Sequence, residues 1–564
     1  MSLLSSFVRP VASRKGRFAL WLWVAICLIT WYATAKYRYS WPSMIVTVGC
    51  FLATTGAVTL LTRRVYFALT LSTTVLLFLT LLSKVKEFYW WEKLLFPDFK
   101  LFLDTSNMGV VLEFPWVFVL FLLLVALLMV LTVQGWRYSG KTTGSRWMSL
   151  GCTIVGCAMV YVMYQDYQPS FQAKLANRVS NVPTNLVMTS TLHYHDPGEL
   201  MTESSSAFLT AQKALAPSAL HAAAQKQPLP DIVVLLQEST FNPQYYTDIV
   251  GGLPALKMFE PANREQEGLL RVHTYGGSTW RSEFSVMSGL NSSDFGANAV
   301  AVNYTVVDHI RHGLFTELRR YGYETYVLTP FNPHSYNCDV AYKAMGVQHI
   351  RQPQDYGYPA PKYKNLWRIP TADMLEAVKK LLETEPHDKP RIVFAMTMYE
   401  HSPYERVMPT DYPVELKAGA PKQEYANYVG KLKAADEPIM AFEAWIRSLD
   451  KRHLFIRFGD HQPRLTDHPE YSLQAPNPMF VTQFQLIDTG LPDKGTAYPL
   501  LDIVYFPGLI LERLKGQPST FFQANMDARR LFNGQYTDAL DDPVVKSYRA
   551  YLFKDLEAAN KDVE

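Results

Sequence analysis

The sequence predicts two parts, an N-terminal α-helical membrane domain and a C-terminal α/β domain with a mainly parallel sheet covered by helices. Three observations support this prediction. At 564 residues the chain is too long for one ordinary domain. Its long apolar runs are concentrated in the first third, although 48% of all residues are hydrophobic. After residue 231, short apolar runs alternate with amphipathic segments, the pattern of a covered parallel sheet.

Five apolar segments are long enough to cross a bilayer, which takes about 20 helical residues. They cover residues 18–34, 42–61, 65–83, 115–134 and 147–164. Lys and Arg are frequent before the first span, between spans two and three, and between spans four and five, so we predict these loops to be cytoplasmic. Basic residues in the other loops compete with this orientation. Five spans would place the C-terminal domain on the periplasmic side of a bacterial inner membrane.

Two stretches flank the membrane domain, which we take as residues 1–164. Residues 84–104 mix aromatic, apolar and lysine side chains irregularly, as in an element lying in the membrane interface. An aromatic belt flanking two spans is an equally good interpretation. Residues 165–230 are rich in Ala, Ser and Gln and end in Pro228 and Pro230, which favours a connector. The α/β domain then covers residues 231–564.

The α/β domain begins with the apolar run DIVVLLQ, a predicted buried strand that is followed by Glu238. A second run of this kind, HLFIRFG, is followed by Asp460 and His461. Ligands in open α/β sheets collect outside the carboxyl ends of the strands, so we expect these three side chains to converge there. Two carboxylates and an imidazole suit a divalent metal such as Mn²⁺ or Zn²⁺.

A third stretch, residues 271–290, offers a nucleophile. Gly276 and Gly277 allow a sharp backbone turn just before Thr279. Apolar residues spaced by three after Thr279 predict a short helix, whose N-terminus favours a phosphate or an alkoxide. A plain turn with a helix cap explains the same residues.

Taken in order, the motifs VVLLQES, YGGSTWRSEF and RFGDHQP resemble the lipoteichoic acid synthase and phosphoglycerol transferase family of membrane enzymes. That family lies in the alkaline phosphatase and sulfatase superfamily, and the resemblance spans most of residues 231–510. It implies that Thr279 is the nucleophile. It also implies that Glu238, Thr279, Asp460 and His461 bind one divalent metal, for which Mn²⁺, Zn²⁺ and Mg²⁺ all stay open.

The resemblance further implies a substrate pocket. His401 matches a family His that contacts the transferred phosphate group, and Tyr336 stands at an aromatic position of the family. We assign Trp280, the neighbour of Thr279, to the same pocket.

The sequence departs from the family at two positions, where many relatives have His in place of Thr329 and Arg in place of Cys338. Cys cannot replace the bidentate phosphate contact of Arg. We assign His334 to substrate binding as a compensating residue. Because of these two differences, the identity of the transferred head group stays open.

The expected reaction transfers a phosphoglycerol head group from phosphatidylglycerol, through a phospho-threonine, to a glycan or lipid-linked glycan. Phosphatidylethanolamine as donor, for a phosphoethanolamine transfer to lipopolysaccharide or another glycan, is an alternative. A phosphodiesterase is another, whereas a sulfatase is disfavoured because Thr279 does not begin a Cys/Ser-x-Pro-x-Arg signature. A catalytically silent envelope scaffold is a rival of another class. With a net charge of +3 and no basic stripe, nucleic acid is not an expected partner.

Overall fold

The structure is a computed structural model of the 564-residue chain. It describes residues 18, 21–25, 28–29, 40–90, 92–107, 115–141, 146–172, 181–190, 197–250, 253–260, 266–358, 368–386, 388–404, 415–416, 423–465, 469–491 and 498–559. The chain divides into two compact units, Met1–His193 and Tyr194–Glu564.

The first unit is helical. Its helices are α1 (Trp41–Thr62), α2 (Val65–Trp90), α3 (Asp98–Leu103), α4 (Pro115–Tyr138), α5 (Arg146–Gln172) and α6 (Val182–Met188). Within the described residues, four helices are long and apolar enough to span a membrane, over Trp41–Thr62, Val65–Phe88, Phe118–Tyr138 and Arg146–Asp166. These four correspond to predicted spans two to five and indicate a membrane-anchored protein. Most of the first predicted span, residues 18–34, lies outside the described residues.

Helices α1 and α5 pack at a distance that only glycine permits. A Cβ atom added to Gly156 of α5 would lie 2.4 Å from the backbone nitrogen of Ala53 in α1. A Cβ added to Gly56 of α1 would lie 2.6 Å from Thr153 Oγ1 of α5. Small residues at helix crossings allow the close backbone contact that stabilises helix pairs inside a membrane.

The segment predicted for the membrane interface, residues 84–104, comprises the end of α2, a loop and α3. Its loop is fixed by the buried Lys86, whose Nζ lies 2.8 Å from Asp98 Oδ1 and donates to the carbonyl of Lys93. Asp98 also accepts the backbone N–H of Leu95 at 2.7 Å. These contacts fold the segment into a compact turn, while its position in the interface stays a prediction.

The second unit is an α/β domain. Its strands are β1 (Asp231–Gln237), β2 (Ile249–Val250), β3 (Gln266–Arg271), β4 (Glu324–Leu328), β5 (His349–Arg351), β6 (Arg391–Met396), β7 (Glu415–Leu416), β8 (His453–Gly459), β9 (Val481–Asp488) and β10 (Leu500–Asp502). Its helices are α7 (Ser206–Ala214), α8 (Ala219–Ala224), α9 (Thr279–Ser288), α10 (Val302–Thr305), α11 (Leu314–Arg320), α12 (Cys338–Ala344), α13 (Thr371–Thr384), α14 (Gln423–Ser448), α15 (Phe506–Leu511), α16 (Thr520–Leu531) and α17 (Pro543–Ala550).

Eight strands form one sheet in the order β10-β3-β9-β8-β1-β6-β4-β5, and β2 pairs with β7 in a separate ribbon. Every neighbouring pair in the large sheet is parallel except the two that involve β9, which runs against both β8 and β3. The predicted mainly parallel sheet is therefore confirmed, with one reversed strand inserted near one edge.

Helices cover both faces of this sheet. Phe455 and Phe458 of β8 are separated by an odd number of positions and therefore point to opposite faces. Phe455 packs against Phe442 of α14 with ring centroids 5.4 Å apart, and Phe458 packs against Phe506 of α15 at 5.0 Å. Strand β1 is buried along its whole length, as expected for a central parallel strand.

The ends of the α/β domain pack against each other. The predicted connector, residues 165–230, includes α7 and α8, and Phe208 of α7 contacts Tyr548 of α17 at a centroid distance of 4.8 Å. Both rings are buried. The apolar face of α17, near the C-terminal end of the described residues, is therefore covered by α7.

Candidate active site

The site lies at the carboxyl ends of the two central strands. Strands β1 and β8 pair in parallel register, with Gln237 opposite Gly459, so Glu238 and Asp460 leave the sheet side by side. The two chains approach closely at this point, because a Cβ atom on Gly459 would lie 1.9 Å from the carbonyl oxygen of Thr240. A side chain at position 459 would push the two strand ends apart.

The turn before Thr279 lies at this edge and leads into α9. Gly276 and Ser278 have φ values of 74° and 65°, in the left-handed region, so the chain reverses sharply before Thr279 begins the helix. The backbone N–H of Gly276 donates to the carbonyl of Gln462 at 3.0 Å, which ties the turn to the loop after β8. The predicted turn and helix are both present.

The four residues predicted to form the site meet there. Thr279 Oγ1 donates to Glu238 Oε2 at 3.0 Å and lies 3.5 Å from His461 Nε2. The same His461 Nε2 lies 3.4 Å from Glu238 Oε1 and 3.3 Å from Asp460 Oδ2. The side chains of Glu238, Asp460 and His461 are at most 2% exposed.

Neighbouring groups fix the orientation of these side chains. The backbone N–H of Ser239 donates to Asp460 Oδ1, and its hydroxyl donates to Glu238 Oε1, both at 2.8 Å. His461 Nδ1 lies 2.9 Å from the carbonyl of Gln462. Because a carbonyl only accepts, Nδ1 carries a proton and Nε2 is the ring atom that faces the carboxylates.

The arrangement fits a divalent metal. One ligand atom each from Glu238, Asp460 and His461 lie within 4.8 Å of one another. Among the described residues, Asp460 Oδ2 is buried without a well-formed hydrogen bond, and such an atom is costly unless a cation or another partner satisfies it. Two carboxylates, one imidazole and a hydroxyl form a donor set that suits Zn²⁺ or Mn²⁺.

The electrostatics favour a cation as well. Burial opposes a charged Glu238, but the His401 and His461 rings lower its pKa to about 2. Burial and the Glu238 carboxylate together raise the pKa of Asp460. Burial would lower the pKa of His461, but Asp460 and Glu238 raise it to about 9. The carboxylates thus hold a proton on the imidazole, and a metal ion would replace that proton.

His401 lies beside this cluster, after β6. Burial lowers its pKa, while the Glu238 carboxylate acts on it in the opposite direction. Its Nδ1 donates to the carbonyl of Ser402 at 2.6 Å, and Lys431 Nζ donates to the carbonyl of His401, also at 2.6 Å. The contact of His401 with the transferred phosphate group stays a prediction.

Trp280 and Tyr336 stack on each other, with ring centroids 4.9 Å apart and an interplanar angle of 25°. The indole N–H of Trp280 donates to the carbonyl of Val300 at 3.1 Å. Tyr336 has a left-handed backbone, with φ of 56°. The two predicted pocket residues are therefore stacked on each other, and Trp280 directly follows Thr279 in the chain.

His334 is not part of this cluster. Its side chain is 70% exposed, and its Nδ1 lies 3.0 Å from Asp339 Oδ2 on the first turn of α12. The two positions at which the sequence departs from the family, Thr329 and Cys338, are both buried. Cys338 Sγ accepts from Asn303 Nδ2 at 3.7 Å, so it belongs to the packing behind Tyr336.

Sequence reasoning missed Glu283, a buried carboxyl group one helical turn after Thr279. Tyr342 of α12 donates its hydroxyl to Glu283 Oε1 at 2.5 Å. Burial, together with the Glu238 charge, raises the pKa of Glu283 to about 7. The spacing of four residues, which places both side chains on one face of α9, was the signal available in the sequence.

The structure thus brings a threonine hydroxyl, two carboxylates and an imidazole together at the carboxyl edge of a mainly parallel sheet. The family model described as Sulfatase matches residues 230–512, which is half of the chain. The protein belongs to the sulfatase family. The superfamily inferred from the three motifs is thereby confirmed.

Proteins with similar sequences include two from bacteria. An uncharacterised protein of Haemophilus influenzae is 30% identical over 554 residues, covering 95% of this chain and 98% of the relative. A protein of Rhizobium meliloti, provisionally named for cyclic β-1,2-glucan modification, is 26% identical over 243 residues, covering 42% of this chain and 36% of the relative. The first match includes both units of the chain.

Solved structures similar to this chain include two bacterial enzymes. The phosphoglycerol transferase GacH of Streptococcus pyogenes, in complex with sn-glycerol-1-phosphate, has a TM-score of 0.48 and 16% identity, covering 65% of this chain and 99% of its own. The lipoteichoic acid synthase LtaP of Listeria monocytogenes has a TM-score of 0.43 and 15% identity, covering 56% of this chain and 78% of its own.

Proposed function

We propose that this protein is a metal-dependent transferase that moves a phosphoglycerol head group from a membrane phospholipid to a glycan. The observation that carries the proposal is the contact of Thr279 Oγ1 with Glu238 and His461 at 3.0 and 3.5 Å. A hydroxyl held against a buried acid and imidazole supports the proposed role of Thr279 as the nucleophile. The four apolar spans give the same chain access to a lipid donor.

The proposed reaction has two displacements. Thr279 Oγ attacks the phosphorus of the phosphodiester, the Oγ–P bond forms, and the bond from phosphorus to the diacylglycerol oxygen breaks. The threonine proton ends on that diacylglycerol oxygen. A glycan hydroxyl then attacks the same phosphorus, the Oγ–P bond breaks, and the proton of the glycan hydroxyl returns to Thr279. Two in-line displacements predict ping-pong kinetics.

Glu238, Asp460, His461 and Thr279 would hold the metal, and Mn²⁺ or Zn²⁺ suits this donor set, with Mg²⁺ as a further candidate. When bound, a divalent cation lowers the pKa of the threonine hydroxyl and neutralises charge on the phosphoryl oxygens. The protein's own contribution is the rigid placement of these groups by Ser239 and by the Gln462 carbonyl.

The remaining pocket residues would position the donor. We assign His401 to the phosphate oxygens, because its ring interacts electrostatically with Glu238 and therefore lies near the nucleophile. The stacked pair of Trp280 and Tyr336 would form the wall against which the head group rests. The exposed His334, which the sequence assigned to the same pocket, has no support from these contacts.

A phosphoethanolamine head group is the second candidate. The observation in its favour is the buried Glu283, whose carboxyl group lies on the same helix face as Thr279 and is bonded by the Tyr342 hydroxyl. A carboxylate at this position would attract the ammonium group of phosphatidylethanolamine. Phosphoglycerol carries no such cation.

We further propose that the protein is a multi-pass protein of the bacterial inner membrane with its α/β domain on the periplasmic side. The apolar spans support membrane anchoring. A donor phospholipid in the outer leaflet and a glycan acceptor in the envelope would both be reachable only from that side.

Intact mass spectrometry of the purified full chain tests the proposal. The protein is incubated with vesicles of phosphatidylglycerol or phosphatidylethanolamine and with Mn²⁺ or Zn²⁺, and released diacylglycerol is measured in parallel. We expect a single phospho-head-group adduct on the wild type and none on Thr279→Ala. The mass of the adduct identifies the transferred head group and therefore the donor lipid. Ser288→Ala, which removes a hydroxyl from the far end of α9, is the matched control and should keep the adduct.

Other outcomes separate the rivals. Diacylglycerol release without an adduct, and without transfer to a glycan, would indicate a hydrolase. A purified protein that contains no bound metal and releases no diacylglycerol from either lipid would indicate a silent scaffold.

A further inference from the structure

A group of tyrosines, which we call the tyrosine cluster, lies beside the metal-binding cluster. Its members are Tyr245, Tyr246, Tyr275, Tyr425 and Tyr471. Tyr246 is central, with ring centroids 5.6 Å from Tyr471 and 5.8 Å from Tyr425. Tyr246 and Tyr471 also pair through an isolated antiparallel backbone bridge. Tyr245 and Tyr471 are only half-buried, so the cluster reaches the surface.

The tyrosine cluster is joined to the proposed active site at two points. Gln462 follows His461, and its Oε1 accepts the hydroxyls of Tyr471 at 2.7 Å and Tyr246 at 3.4 Å. Its amide group is held by the carbonyl of Val481, so the side chain has a fixed orientation. Tyr275 stands immediately before the turn that leads to Thr279. A shift of Gln462 would therefore displace the His461 imidazole, and a shift of Tyr275 would displace Thr279.

Asp248 supplies the polar group of this surface. Tyr425 donates its hydroxyl to Asp248 Oδ2 at 2.9 Å. Within the described residues, Asp248 Oδ1 is buried without a hydrogen-bond partner. Burial raises the pKa of Tyr425 and of Tyr471, and the nearby Asp248 carboxylate raises both further. The phenol hydroxyls therefore stay protonated and able to donate hydrogen bonds around this acceptor.

We propose that the tyrosine cluster and Asp248 form the subsite for the acceptor, and that the acceptor is a hydroxyl-rich sugar unit. This inference rests on the proposed transferase function and names the part of the site that the second displacement uses. Sugar rings present apolar C–H faces and many hydroxyl groups. Half-buried tyrosine rings match the faces, and the half-buried Asp248 carboxylate is a hydrogen-bond acceptor for a sugar hydroxyl.

The same chemistry argues against other acceptors. An acyl chain would shield the half-buried Asp248 carboxylate from water and offer it no hydrogen-bond donor, which costs free energy. A phosphate-bearing acceptor would be repelled by the Asp248 charge. A neutral sugar satisfies the acid and keeps its other hydroxyls available to the phosphorylated Thr279.

The test separates the two half-reactions in the full chain. The first is diacylglycerol release from phosphatidylglycerol or phosphatidylethanolamine vesicles, and the second is transfer of the head group to β-1,2-glucan oligosaccharides or to maltooligosaccharides. For Asp248→Asn we expect unchanged diacylglycerol release and a KM for the glycan that rises about tenfold or more, because a hydrogen bond to a charged group is lost. Glu470→Gln, an exposed acid next to Tyr471, is the control and should leave both half-reactions unchanged.

A second variant distinguishes a loss of acceptor binding from misfolding. Tyr245→Leu removes a surface aromatic ring without touching Asp248, and we expect it to raise the glycan KM while diacylglycerol release stays normal. The acceptor subsite is wrong if both half-reactions fall together in both variants, since that result marks a structural role. It is equally wrong if the KM for the glycan does not change, or if no glycan accelerates loss of the adduct from the wild type. A wild type that releases no diacylglycerol would instead overturn the proposed function itself.

Discussion

His273 Nε2 lies 2.9 Å from Asp502 Oδ1, and both side chains are only 1% exposed. Thr537 adds a hydroxyl 3.1 Å from the same ring nitrogen, and Ser285 of α9 lies 3.3 Å from Nδ1 on the other side of the ring. Because Ser285 and Thr279 share α9, this buried pair connects the helix that begins at Thr279 to β10 at the edge of the sheet.

Replacing His273 with Ala should destabilise the α/β domain by about 3 kcal/mol or more, because the Asp502 carboxylate would stay buried without its partner. Burial opposes the charge on Asp502, yet His273 and Thr537 keep its pKa low. Denaturant unfolding of the purified protein measures the change. His334→Ala, at an exposed position, should shift the free energy of unfolding by less than about 0.5 kcal/mol. Equal shifts in the two variants would contradict the prediction.

Glu283 predicts a pH effect on stability. Its pKa rises from an ordinary value of 4.5 to about 7 in the folded protein, so its contribution is fully present below the lower value and is lost as the pH rises through the upper one. Glu283→Gln keeps an acceptor for Tyr342 and should stabilise the protein at pH 8, by up to about 3 kcal/mol, but not at pH 4. Thermal melting at the two pH values checks this. A stabilisation that is the same at both would refute it.

The metal-binding cluster predicts a chelator effect. A ligand that binds only the folded state raises its stability, so removal of the metal with a chelator should lower the melting temperature of the wild type. Asp460→Asn should contain far less metal by elemental analysis, and its melting temperature should hardly respond to the chelator. Asp388→Asn, outside the site, should behave like the wild type. A variant at Asp460 that retains full metal content would argue against this ligand.

The stacked pair of Trp280 and Tyr336 predicts a donor effect. An aromatic pair contributes about 0.5–1.5 kcal/mol beyond its buried area, so Tyr336→Leu should raise the KM for the lipid donor about two- to tenfold. Tyr336→Phe keeps the ring and should stay close to the wild type. Initial rates of diacylglycerol release over a range of donor concentrations provide the measurement. An increase in the donor KM that is as large for Tyr336→Phe as for Tyr336→Leu would assign the effect to the hydroxyl instead.

Sequence reasoning succeeded where the information is local. Glu238 and the Asp460–His461 pair each follow an apolar run that is buried on both sides, so their place at a strand end was predictable. The turn before Thr279 was predictable because two glycines stand together. The parallel pairing of β1 and β8 then brings the three stretches into contact.

Long-range packing was not predictable in this way. His273 and Asp502 are 229 positions apart, and nothing near either residue indicates the other. The antiparallel direction of β9 depends on the end of the sheet at which the chain enters this strand. The sequence does not reveal it, because a buried antiparallel strand has the same apolar pattern as a buried parallel strand. His334 was assigned to the pocket from its neighbourhood in the sequence, but the left-handed residues Tyr336 and Asn337 redirect the chain after it.

The pairing of β1 with β8 also sets the order of events when the protein is made. Ser239 and Asp460 are in contact but lie 221 positions apart, so the first ligand is synthesised long before the last. No nascent chain shorter than His461 carries the whole metal site, and contacts between such distant segments form late in folding. The proposed metal would therefore be acquired only after the α/β domain has been completed, from the ions of the compartment in which folding ends.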